Sequence, residues 1–404
     1  MSTLNTDHLT ERFDDDMVLF IDLLRGIAAI MVMFGHALDL STASTFSWDL
    51  HQNPPFWCLI RSSIGNGVFW VWCFFIISGM CIHQSIARSV ETQTFRWRNY
   101  IVARLTRIYP LFLLGLVLAY IAWILPEDWG DLASRNSHPW PQLAASFLSL
   151  QIFTTPFPAF ETSWSLSCEM VYYAVWPFLL LSFRGNGSRA AIFALFGSCL
   201  TLIAIAAAWH FSERLSSSAA LEGLWTTVIL FPLWAGGAWL GANWRSVRER
   251  MTTRLWVASI IICILAEVLF VSFKFHVYPG WALNIPAWVA APGLLLFLGG
   301  VTRFNLSQKP KWKPACEWLG RFSYPCYILH MQLLLIWHHF LIQWLPKSLS
   351  SQPFVYMLCL LLPLLALMAV VGPWMESQIM SWRSQILKKF EGTITTNCFG
   401  KLNI

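Results

Sequence analysis

The stretch IDLLRGIAAIMVMFGH (residues 21–36) decides the fold. It sits inside a longer apolar run, roughly 17–40, of the length that crosses the hydrocarbon core of a bilayer as one helix. It nevertheless carries Asp22, Arg25 and His36. Ionisable side chains are costly in lipid unless they face the interior of a bundle, where they mark a site. Arg25 and His36 are eleven residues apart. At 3.6 residues per turn this is just past three turns, so both lie on one face, about 16.5 Å apart along the axis. Asp22, three residues before Arg25, is placed to pair with it. The stretch reads as a membrane helix with one polar stripe turned inward.

The rest of the chain agrees with this reading. Of its 404 residues, 56% are apolar and only 12% are charged, against about a quarter charged in soluble domains. With 24 Trp and 30 Phe, this composition excludes a water-soluble enzyme, which would still need a polar surface. Ten apolar stretches are long enough to span, at roughly 17–40, 66–87, 107–125, 165–183, 190–210, 223–244, 255–273, 283–302, 323–345 and 354–376. The basic residues test this count independently. On alternate loops and both ends lie 21 of the 27 Lys and Arg, the opposite loops hold five, and Arg25 alone lies within a span. By the positive-inside rule, both termini are cytosolic. The expected fold is an all-α integral membrane protein of about ten helices, with a cytosolic tail at 1–16, a membrane domain at 17–376 and a cytosolic tail at 377–404. Residues 1–16 lack the basic flank and cleavage site of a signal peptide.

Within the spans, the other ionisable residues are Glu169, Glu267, His330, His338 and His339. Glu169, near the outer start of span 4, is expected at the depth of His36, where it could orient that imidazole as a dyad. His330 and Ser78 are expected in the inner half with Arg25. Arg104 and Arg107 lie on one side of the cytosolic start of span 3, where their guanidinium groups could grip phosphates or simply anchor the helix. His338 and His339 read as interfacial, and Glu267 as lone. The long outer connection, about 126–163, carries Trp129, Trp140 and five Pro, enough for a lid or a sugar platform, though interfacial aromatics read the same way. The ten Cys have no paired or CxxC spacing, which argues against disulfides and metal sites. No basic arm or nucleic-acid motif is visible.

Five motifs, in order over about residues 19–376, resemble those of the membrane acyltransferase family 3, the bacterial O-antigen and exopolysaccharide O-acetyltransferases. IDLLRGIAAIMVMFGH (21–36) is similar to its first-helix signature, FFIISGM (74–80) to FFxxSGF, and RLTRIYPLF (104–112) to RxxRIxPxY. SWSLSCEMVYYAVWP (163–177) is similar to WSLxxExxFYxxxP, and FSYPCYILH (322–330) to SYxxYxxH. Met80, Phe112 and Ala103 depart from the usual Phe, Tyr and Arg.

The resemblance implies a ten-helix fold in a bacterial inner membrane. It also implies acyl-CoA as donor, with acetyl the usual acyl group, and a hydroxyl of an extracytoplasmic or lipid-linked glycan as acceptor. It makes Arg25 and His36 essential and gives Arg104 and Arg107 to the CoA, with Ser78 and His330 counted on the donor side. His36 is then the expected general base, Glu169 its orienting partner, and Arg25 the group that holds the donor or the developing negative charge. No cofactor is expected to be bound permanently. Two rivals remain from the residues alone: a glycan or lipid transporter, since midplane charges also suit alternating access, and an acyl relay to a periplasmic partner.

Overall fold

A computed structural model describes residues 12–42, 65–125, 140–211, 218–275, 284–301, 305–350 and 352–391. The described residues are helical, with no strand. Ten apolar helices follow one another: α1 (Asp15–Thr42), α2 (Gly67–Glu91), α3 (Trp97–Ile124), α4 (Trp164–Ser182), α5 (Gly187–Phe211), α6 (Ala219–Arg250), α7 (Thr253–Phe275), α8 (Pro286–Gly299), α9 (Trp312–Trp344) and α10 (Pro353–Glu391). Among the described residues, nine of these are long and apolar enough to cross a membrane; α8 has 14 residues, or about 21 Å of helix.

Packing between α1 and α9 shows that α8 still counts as a crossing. A Cβ on Gly320 would meet Asp22, and one on Gly26 would meet Leu319. Further along, Met33 Sδ lies 3.9 Å from Cys326 Sγ, and the His36 ring stacks on His330. The two helices therefore climb in the same direction, which helices one and nine of an alternating bundle do only if the eighth also reverses the chain.

Three boundaries move, with consequences for the site. α3 starts at Trp97, ten residues before the predicted span, so Arg104 and Arg107, expected at its mouth, lie two to three turns inside it and are buried. α9 starts at Trp312, eleven residues before the predicted span, so His330 falls beyond the helix midpoint and packs at the level of His36 rather than of Arg25. α10 runs for 39 residues, about 58 Å, nearly twice the hydrocarbon thickness. Much of the predicted cytosolic tail therefore continues this helix.

Close approach of α2 and α6 is set by two glycines. Gly79 sits on the Trp234 carbonyl and Gly237 on the Ile76 carbonyl, and a side chain at either position would collide with backbone. Small residues at crossings are how membrane helices come together without a hydrophobic drive. This contact places Ser78, Gly79's neighbour, within 3.1 Å of the Trp234 indole Nε1, which donates to it.

The outer connection also departs from expectation. Its first part, about 126–139 with Trp129, lies outside the described residues. Its last part dips into the bundle: Gln151, Phe157, Ala159 and Phe160 are fully buried, and Phe160 packs 5.1 Å from Phe112, midway along α3. Non-helical backbone at this depth requires internal partners, and it has them. Gln151 Nε2 donates to the Ser163 carbonyl at 2.8 Å, Ser167 Oγ to the Ser149 carbonyl at 2.6 Å, and the Ala159 amide to Glu161 Oε1 at 3.2 Å. α4 therefore begins deep in the bundle, and Glu169, on its second turn, lies deeper than the span pattern implied.

Apolar side chains form two buried clusters. One centres on α2, α4, α6 and α8, the other on α1, α3, α9 and α10. α5 and α7 instead turn Phe196, Leu200, Ile203, Ile261, Ile264 and Leu265 outward, each more than half exposed. Those are the lipid-facing walls.

Candidate active site

A cavity of about 100 Å³ opens at the seam between the two clusters, with polar groups from five helices in its lining. Arg25 comes from α1, Ser78 from α2, Arg104 and Arg107 from α3, Ser165, Glu169 and Tyr173 from α4, and Tyr324 and Tyr327 from α9. Five of the seven residues expected to form a site thus converge. The remaining two, His36 and His330, stack on each other with ring centroids 5.2 Å apart and planes 28° from parallel. Tyr327 joins the two places. It lines the cavity, its hydroxyl bonds Ser165 Oγ, and its ring lies 4.8 Å from Phe74 and 6.1 Å from His330.

Glu169 is held by a chain of directed hydrogen bonds. The Trp234 Nε1–H can only donate, and it donates to Ser78 Oγ. Ser78 Oγ lies 3.0 Å from the Tyr173 hydroxyl, which donates to Glu169 Oε2 at 2.9 Å. Arg25 lines the same cavity. The expected pairing of Glu169 with His36 is therefore replaced. Because α4 starts deep, its carboxylate shares the cavity with Arg25, and the ring partner of His36 is His330.

The arginines of α3 take different roles. Both are more than nine-tenths buried. Arg107 Nη1 bonds both oxygens of Glu376 at 2.8 Å, and its guanidinium carbon lies 4.6 Å from the Tyr324 ring centre. Its charge is already met. Arg104 lies 5.7 Å from the Tyr100 ring centre, makes no ion pair among the described residues, and buries Nε without a hydrogen bond. Arg25 and Asp22 likewise form no ion pair, contrary to the expected i, i+3 bridge. Asp22 is packed against Gly320, while Arg25 turns to the cavity. Two cations, Arg25 and Arg104, thus face one enclosed space, a setting suited to an anionic ligand.

Spacing could have found some of what sequence reasoning missed. Tyr173 is one turn from Glu169 and Tyr327 one turn before His330, so each is on the same helix face as a residue already singled out. Glu376, at the edge of the last span, gives no such local signal, because its partner is 269 residues away. Glu267 is not lone: it accepts from Asn66 Nδ2 at 2.6 Å, and Asn66 caps α2 through the Phe69 amide. His338 Nδ1 lies 2.8 Å from the Tyr356 hydroxyl, and His339 Nε2 lies 3.1 Å from Gln343 Nε2. The eight described cysteines are free thiols.

No curated protein and no solved structure matches the chain. A family model described as an acyltransferase domain matches residues 18–374, from the start of α1 well into α10, and so takes in the whole cavity and the histidine stack. The chain belongs to acyltransferase family 3 and is a membrane acyltransferase.

Proposed function

We propose that this protein moves an acyl group, acetyl by the habit of its family, from cytosolic acyl-CoA to a hydroxyl of an extracytoplasmic or lipid-linked glycan, in a bacterial inner membrane. The observation that carries the reading is the arrangement of the polar residues. Two cations that make no ion pair among the described residues share a cavity with five hydroxyl groups, and a pair of imidazoles lies one helical turn beyond its rim.

The donor's phosphates sit near Arg104, in the half of the bundle that the basic loops assign to the cytosol. The pantetheine arm extends through the cavity toward Tyr327. Arg25, backed by Glu169, faces the thioester and stabilises negative charge as it develops on the carbonyl oxygen. An imidazole of the His36–His330 stack takes the acceptor's proton. Arg107, neutralised by Glu376, ties α3 to α10 and fixes the wall from which Arg104 reaches out.

The test is transfer itself. Purified protein in proteoliposomes, given acetyl-CoA with a labelled acetyl group and a lipid-linked glycan extract, should esterify the glycan at alkali-labile positions. Donor-dependent labelling supports the reading; transport of the glycan without labelling contradicts it.

A further inference from the structure

His330 is completely buried, and its two ring nitrogens differ. Nδ1 lies 2.8 Å from the Tyr327 carbonyl and 3.2 Å from the Cys326 carbonyl. Carbonyl oxygens only accept, so Nδ1 carries a hydrogen and donates it. An isolated imidazolium this deep would be costly, and the ring stacked on His330 is another imidazole. The neutral ring therefore presents Nε2 as a bare lone pair. That atom is buried and, among the described residues, makes no hydrogen bond.

Packing does not explain this arrangement. A phenyl ring would fill the same space and stack on His36 equally well, without a desolvated acceptor, whereas an unsatisfied buried polar atom costs about 1–3 kcal/mol. Nor is the Nδ1 bond needed by the backbone, since both carbonyls lie within α9. Its effect is to fix the tautomer and the ring's angle. An imidazole held in one tautomer with an empty lone pair, one turn from a donor cavity, is prepared to receive a hydroxyl.

Resting on the acyltransferase reading above, we propose that His330 serves as the base, its Nε2 accepting first the hydrogen bond and then the proton of the acceptor hydroxyl. The acceptor O–H bond breaks as Nε2–H forms, and the oxygen bonds to the thioester carbonyl carbon. Collapse of the tetrahedral adduct breaks the C–S bond. The proton on Nε2 passes to the departing thiolate, leaving an acyl ester, free CoA thiol and neutral His330. His36 is a positioning residue: its ring covers one face of His330 and holds that imidazole at a fixed angle.

His330→Phe isolates the lone pair, because the ring and the stack remain while the unsatisfied nitrogen goes. Three quantities are measured beside wild type: glycan acylation by mass spectrometry in cells, acetyl-CoA affinity by calorimetry, and thermal unfolding of the purified protein. We expect turnover to fall by about 10²–10⁴-fold, donor affinity to be unchanged, and the unfolding temperature to hold or rise. Acylation within threefold of wild type overturns the proposal. So does loss of donor binding, which would return His330 to the donor site, and so does a lowered unfolding temperature, which would make it a packing residue. Absence of donor-dependent acylation in wild type is a different result and brings down the acyltransferase reading itself.

Discussion

The cavity and the histidine stack lie within one helical turn of each other and are built on opposite terms. The cavity is hollow, charged and rich in hydroxyls, with Arg25, Arg104 and Glu169 on its walls. The stack is filled and aromatic, its two imidazoles packed face to face. Holding a polyanion calls for fixed positive charge, whereas taking a proton from a weakly acidic hydroxyl calls for a neutral base in a dry place. The bundle separates the two along its axis and joins them through Tyr327. Substitutions in the cavity should therefore change donor affinity, and substitutions in the stack should change turnover.

The largest effect is expected at the stack. His330→Phe removes the base and should cost turnover about 10²–10⁴-fold; His36→Ala removes only the ring that positions it, so turnover should fall by less, while calorimetry finds acetyl-CoA bound as tightly as in wild type in both. Wild-type glycan acylation in both variants would show that the stack is not part of the chemistry. Next comes the buried ion pair beneath the cavity. Glu376→Ala leaves the Arg107 charge buried without its partner, which should cost about 3–5 kcal/mol of stability, read as a lower unfolding temperature in detergent. Replacing both Arg107 and Glu376 by Met should restore most of that loss.

Arg104→Gln is expected to act on binding alone. Losing a charge-assisted contact of about 1.5–3 kcal/mol should raise the donor KM by about 10–150-fold, with kcat nearly intact and the unfolding temperature unchanged. Arg104→Lys should recover part of the affinity, because a point charge cannot reproduce the guanidinium fork. Equal effects of Arg104→Gln and Arg107→Gln on KM would erase the distinction between a ligand-facing and a neutralised arginine. The smallest effect is expected where the two regions meet. Tyr327→Phe keeps the ring between Phe74 and His330 but loses the hydroxyl bond to Ser165, a loss of about 1 kcal/mol, or roughly fivefold in turnover.

The two regions also differ in how far they could be read from sequence. The helices themselves were legible, since span length and the alternation of basic loops are local signals, and eight starts need only small adjustment. The cavity was largely legible too: Arg25, Ser78, Arg104, Arg107 and Glu169 each stood out as polar residues in apolar surroundings. What could not be read was depth. The depth at which α4 begins sets what Glu169 faces, and the buried turns at 151–163 carry no pattern that says they enter the bundle. The same holds for His330, whose level depends on an α9 that starts at Trp312 among Lys309, Lys311 and Lys313, residues that hydropathy alone assigns to a loop. Arg107 looked equivalent to Arg104 because Glu376 is distant in sequence and supplied by another helix.

The central claim is that a donor held in the arginine-lined cavity is acted on at the histidine stack. The most direct measurement compares wild type, Arg104→Gln and His36→Ala in cells lacking the native gene, scoring alkali-labile acyl esters on surface polysaccharide by mass spectrometry, with acetyl-CoA affinity measured on each purified protein. The account predicts esters with wild type, fewer esters and weaker donor binding with Arg104→Gln, and fewer esters but full donor binding with His36→Ala. Esters at wild-type level with His36→Ala, or loss of donor binding in that variant, would contradict it.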